Sequence, residues 1–167
     1  QWLTGYSEIS SLNTDRFYPF SFPLVLATHN IFIINLILLI NLYIAFLAFY
    51  KLGSYLTNNQ ELLLLFSTAY MLSGVLLSRV FIGHISFVYA MAWIPLMYYF
   101  FLKIIHRSEI SVWNITAFAL CETILLFTGG LYYMFFSNAI IFIFFIYFFI
   151  RKTISRATWG ALICSLG

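Results

Sequence analysis

Glu122 is the only charged residue in the apolar run from Val112 to Phe127. If that run is a helix in a bilayer, the carboxyl lies about five residues from one end, roughly 7–8 Å deep at about 1.5 Å per residue. A charged group near the bilayer centre costs on the order of 2.5–3.5 kcal/mol on insertion scales, so the side chain must face protein or a water-filled cavity. Two roles fit equally well. One is a carboxylate in a substrate cavity or proton path; the other is a neutral or arginine-paired glutamate that fixes helix packing.

Arg79 and His84 flank the short Val80–Gly83 stretch. The planar fork of Arg79 suits a phosphate, or it would pair with Glu122. Its plainer role is an interfacial arginine reaching for the headgroups, and His84 carries the same choice. Near the start of the chain, Glu8, Asp15 and Arg16 stand among the aromatics of Gln1–Tyr6 and Asp15–Phe20. Such aromatics usually form an interfacial belt. Over an external cavity they would instead offer ring faces to a sugar or lipid, with Asp15 or Glu8 as a weak candidate for general base and Arg16 as a substrate contact. Asp15 beside Arg16 also reads as a local ion pair, worth little when exposed. Asn30 and Asn41, with His29, place a polar seam on one helix face, where hydrogen bonds between helices are the simpler account.

Cys121 and Cys164 sit in apolar runs without paired spacing and read as small buried hydrophobes. The chain has no phosphate loop, dinucleotide fingerprint or metal-protease motif. No cofactor is evident and no metal ligands are assigned, which leaves a divalent metal open. Asn114-Ile-Thr116 has the form of a glycosylation sequon but falls at the cytoplasmic end of its span.

The elements that position these groups follow from composition. Hydrophobic residues make up 63% of the 167 and charged residues 8%, against roughly 25% charged in a soluble domain. This chain cannot clothe a water-facing surface. Its net charge of +3 gives no reason to expect nucleic acid, and its natural partner is membrane lipid. Uninterrupted apolar runs cover Ile31–Tyr50, Leu62–Ser78, Ile85–Leu102, Val112–Phe127 and Leu131–Ile150. Each approaches the roughly 20 residues that cross a bilayer as helix. None alternates like a membrane β-strand. A sixth run begins near Thr158 and stops at Gly167. The expectation is an all-α polytopic bundle of five full spans and a truncated sixth, a piece of a longer protein incomplete at both ends. Residues 1–22 form an extracytoplasmic loop segment and 23–167 the transmembrane helical domain. Pro95 leaves the Met91 carbonyl without its helical donor and should kink its span.

Sidedness follows from the basic residues. Lys51, Lys103, Arg107, Arg151, Lys152 and Arg156, six of the eight, fall on one set of alternate loops. Arg16 and Arg79 fall on the other. The richer side is cytoplasmic, so the N-terminal segment, Arg79, His84 and the Thr128–Gly130 turn face outward.

The stretch Arg79-Val-Phe-Ile-Gly-His-Ile-Ser-Phe-Val-Tyr-Ala-Met-Ala-Trp-Ile-Pro-Leu96 resembles a segment of YfhO-type and related archaeal multi-spanning membrane proteins. These belong to the broad GT-C glycosyltransferase superfamily. Phe127-Thr-Gly-Gly-Leu-Tyr-Tyr133 is similar to their later glycine-containing external turn. Trp2-Leu-Thr-Gly5 with Arg16-Phe-Tyr-Pro19 resembles the end of their first external loop, except that Phe20 stands where a second proline is common.

The resemblance implies a glycosyltransferase, or an inactive relative, using a polyprenyl-phosphate-linked sugar at the outer face of a prokaryotic plasma membrane. In that reading Arg79 and His84 contact the lipid phosphate, Glu122 shapes or protonates the cavity, Arg16 is a further substrate contact, and a catalytic acid lies in the first external loop. Neither Asp15 nor Glu8 matches that acid's motif position. A transporter or flippase with Glu122 as coupling carboxylate is the alternative, as is a non-catalytic subunit of a membrane complex. Broken helices or inverted repeats would favour the transporter.

Overall fold

In the computed structural model the described residues are 31–82, 85–106, 111–128 and 131–150, together with Pro19. Their long elements are all α-helices: α1 (Ile31–Leu56), α2 (Gln60–Met71), α3 (Gly74–Ile82), α4 (Ile85–His106), α5 (Val112–Phe127) and α6 (Leu131–Ile150). There is no strand among the described residues. Both ends of α5 and both ends of α6 fall where the apolar runs put them. Helices α1 and α4 continue past the expected Tyr50 and Leu102, so Lys51 and Lys103 lie within helix. Lysine permits this because its aliphatic stem runs along the helix while the ammonium reaches polar surroundings; the Lys103 Nζ sits 4.5 Å from the centre of the Tyr99 ring.

The second expected span, Leu62–Ser78, is where structure and expectation part. The stretch Gln60–Phe81 is long and apolar enough to cross a bilayer, yet it is two helices. Asn59 starts the first by accepting Glu61 N–H at 3.1 Å and Leu62 N–H at 3.2 Å on its Oδ1. The second starts at Ser73, whose Oγ accepts Leu76 N–H at 3.4 Å and whose carbonyl accepts Leu77 N–H at 3.0 Å. Serine competes with the helix for backbone partners, and Gly74 costs about 1 kcal/mol relative to alanine in a helix interior. Together they break the run. Pro95 lies buried within α4, which runs on past it as one helix.

Three stretches meet the length and hydropathy of a membrane span: Asn35–Leu56, Gln60–Phe81 and Ser86–Ile105. Val112–Phe127 and Tyr132–Phe148 are apolar but shorter. Their outward faces are large and greasy, with Phe32, Leu65, Phe81, Phe135, Phe136 and Ile143 all more than half exposed. A water-soluble protein rarely leaves such continuous apolar surface open; lipid tails accommodate it. These are the features of an integral membrane protein.

Helix α4 is the hub, packed against α1, α3, α5 and α6. Ala90, Met97 and Phe101 from its length are buried with Phe118, Cys121 and Leu125 of α5 and Ile141 of α6. Lipid offers apolar side chains as good an environment as protein does, so close packing and hydrogen bonds must hold such helices together. Small residues supply the closeness. Ala45 and Ala48 are buried on α1, and a Cβ at Gly53 would lie 2.6 Å from Leu63 Cδ2 of α2. Polar side chains inside the apolar stretches turn back on their own helices. Ser67 Oγ donates to Leu63 O at 2.6 Å, Thr123 Oγ1 to Ala119 O at 2.8 Å, and Asn41 Nδ2 to Ile37 O at 2.9 Å. The Asn41 amide thus holds to its own helix through Nδ2; Asn30 and His29 lie outside the described residues.

Gly53→Val should lower the midpoint of unfolding in detergent by the equivalent of about 1–3 kcal/mol, the usual cost of overpacking. Gly53→Ala should cost less, because the Leu63 tip can swing aside. Equal midpoints for the wild type and both variants would show that α1 and α2 do not meet at Gly53.

Candidate functional site

The C-terminal half of α5 and the N-terminal half of α6 run side by side from the turn at 128–130, and both carry polar residues at a matching depth. Glu122 lies six residues before Thr128 and Asn138 seven after Leu131, each about 9–10 Å from the turn at 1.5 Å per residue. This equal spacing makes them meet. Asn138 Nδ2 donates to Glu122 Oε2 at 3.1 Å. Glu122 is 8% exposed, and its other oxygen, Oε1, is buried without a hydrogen-bond partner among the described residues.

The neighbours complete a polar layer in an apolar bundle. Ser137, next to Asn138, is buried and donates to the Tyr133 carbonyl at 2.6 Å. Tyr98 of α4 faces Ser137 and stands close enough to Glu122 to feel its charge. Cys121, a free buried thiol, flanks Glu122 along α5. A carboxyl with one oxygen fixed by an amide and the other unfilled is prepared for a hydrogen-bond donor. Buried polar atoms in proteins are nearly always satisfied, and an exception asks for a ligand, a water or a proton.

Above this layer the same helix reaches a second group of residues. Tyr133 stacks edge-on against Phe87 of α4, with ring centroids 5.0 Å apart. The Arg79 guanidinium, in the last turn of α3, lies 5.3 Å from the Phe87 ring centre. A cation over an aromatic face is worth about 0.5–2 kcal/mol, more as water is withdrawn. The pairing of Arg79 with Glu122 considered from sequence is not made. Glu122 bonds to Asn138 instead, and α6 connects the two groups through Tyr133 and Ser137.

Of the residues singled out by sequence, Arg79 and Glu122 fall within the description. His84, Arg16, Asp15 and Glu8 lie outside the described residues. No cluster of three or more His, Cys, Asp or Glu side chains able to hold a metal occurs among the described residues. Sequence reasoning passed over Asn138, Ser137, Tyr98 and Tyr133. The available signal was Asn138 itself, an amide in a Phe/Ile run at the same distance from the turn as Glu122. Asn114 of the sequon is buried.

No known protein family, curated protein or solved structure matches this chain.

A double-mutant cycle on Glu122→Met and Asn138→Ala should return a coupling of about 0.6–1.7 kcal/mol, the span of hydrogen bonds between membrane helices. Asn138→Ala alone should be the costlier change, since it leaves a second carboxyl oxygen unfilled. Additive effects would mean that the two side chains do not interact.

Proposed function

We propose that this chain forms the membrane-embedded part of a GT-C-like glycosyltransferase, or of a relative that has lost the activity. It takes a polyprenyl-phosphate-linked sugar at the extracytoplasmic face of a prokaryotic plasma membrane, with five full spans and a sixth beginning near Thr158. The observation that carries this reading is the unfilled Glu122 oxygen below the Arg79, Phe87 and Tyr133 group. An arginine fork pairs with a lipid phosphate, aromatic faces suit a sugar ring, and a buried carboxyl orients a hydroxyl. Arg16 and His84 would join Arg79 at the phosphate. The alternate-loop bias of basic residues supports an outward position for this end of the bundle, and the motif resemblance favours the same compartment. Asp15 and Glu8 remain candidates for the base, and no metal is assigned.

A second reading, a transporter or flippase, draws support from the break at Leu72–Ser73. Helices interrupted near the middle of the bilayer are a recurring feature of secondary transporters.

Full-length protein in proteoliposomes, supplied with polyprenyl-phosphate sugar and acceptor, separates the readings. Arg79→Ala should raise KM for the lipid donor about tenfold, equivalent to about 1.4 kcal/mol of lost binding. Glu122→Gln should reduce kcat/KM. Wild-type transfer by both variants removes the site, and movement of the labelled lipid across the bilayer without sugar transfer selects the transporter.

A further inference from the structure

The break between α2 and α3 and the proline in α4 meet in space. A helical carbonyl at position 91 would normally accept the N–H of residue 95, four places on. Pro95 has none. The Tyr70 hydroxyl supplies the missing donor, giving its proton to the Met91 carbonyl at 2.8 Å. Tyr70 is also stacked on Phe49 of α1, with ring centroids 4.7 Å apart and planes 20° from parallel. The last turn of α2 is thereby held by its neighbours on both sides, two residues before the chain leaves the helix.

Beyond the break the attachment is of another kind. Both helix ends are closed locally. Leu72 N–H bonds to Thr68 O at 2.9 Å and Ser73 N–H to Tyr70 O at 3.2 Å, while Ser73 caps α3. The bonds that begin α3, from Leu76 N–H and Leu77 N–H to Ser73, do not reach back into α2, so they survive a change in the angle between the two helices. Nothing lies within 4 Å of a Cβ placed at Gly74, so the joint is uncrowded. The nine residues of α3 rest on α4 through Leu76 and Val80 against Phe87 and Val88, and through Arg79 over Phe87. Val75 and Phe81 point away, 61% and 88% exposed. Apolar contacts between helices have little advantage over contacts with lipid tails, so the apolar part of this attachment can be exchanged for lipid at modest cost.

We propose that α3 is a hinged arm that swings about Leu72–Ser73 while the Tyr70–Met91 bond holds α2 still, carrying Arg79 toward and away from the outer end of α6. Hinges in proteins are a few element-terminal residues that absorb the change in backbone angle, and Leu72–Ser73 occupies such a place. The arm is independent of the reaction: it would serve a transferase by delivering the arginine to its ligand, and a transporter as a gate.

The test is pulsed electron paramagnetic resonance on the full-length protein in nanodiscs, with Cys121 and Cys164 replaced by alanine. Spin labels at Leu65→Cys and Ser78→Cys report across the joint; labels at Leu65→Cys and Leu39→Cys report α2 against α1. The cross-joint distribution should be two-peaked or at least about twofold wider than the reference, as expected for a hinge motion. Tyr70→Phe keeps the ring stack but removes the donor, and should widen the reference pair and lower thermal stability. Adding Pro95→Ala to Tyr70→Phe returns an N–H to Met91, which should recover the stability but leave the reference pair wide. A cross-joint distribution as narrow as the reference overturns the hinge. A reference pair unmoved by Tyr70→Phe, or narrowed again by Pro95→Ala, overturns the pin.

Discussion

A backbone polar group in hydrocarbon has no water to turn to, and leaving one unmatched costs several kcal/mol. This constraint orders the whole bundle. Along the regular helices the backbone ladder meets it, and Ser67, Thr123, Ser137 and Asn41 add their own side chains to carbonyls one turn back. Where the ladder is interrupted, a specific side chain answers. Ser73 caps α3 where the second span breaks, and Tyr70 fills the carbonyl that Pro95 abandons. Tyr70, stacked on Phe49 of α1, also fixes where α2 lies against its neighbours.

Glu122 stands out against that background. Its Oε2 is satisfied by Asn138, its Oε1 is not, and its surroundings are the packed residues of α4, α5 and α6. A carboxyl retained in such a place sets a cost against a use, and ionisable groups within membranes are commonly functional. The two groups differ in mechanical character. The Glu122 layer sits on the hub helix and its close neighbours, whereas Arg79 rides on a short helix joined at a break. In the proposed function the first offers a fixed partner and the second a movable one.

Much of this was legible in the amino-acid sequence because the signals are local. Apolar runs of 16 and 20 residues make helices whatever packs against them, so Val112–Phe127 and Leu131–Ile150 match α5 and α6 residue for residue. The vacancy at Met91 was legible too, since proline chemistry alone dictates it. The donor was not: Tyr70 lies 21 residues away, and only tertiary packing brings it there. The break at Leu72–Ser73 had a faint signal in Ser73-Gly74, submerged in the hydropathy of the residues around it. Glu122 was visible as a charge in an apolar run, but its pairing depended on two helices of matched depth folding back from one turn. Arginine seemed the natural partner by charge; geometry provided an amide.

The proposed function requires a bundle that crosses the bilayer with the Arg79 end outward. Single-cysteine variants Ser78→Cys and Ser54→Cys, both at exposed positions, can be treated with a membrane-impermeant maleimide on intact cells and again after permeabilisation. Ser78→Cys should label at once and Ser54→Cys only after permeabilisation. Immediate labelling of Ser54→Cys with Ser78→Cys protected would invert the bundle and place the Arg79 and Glu122 groups on the cytoplasmic side.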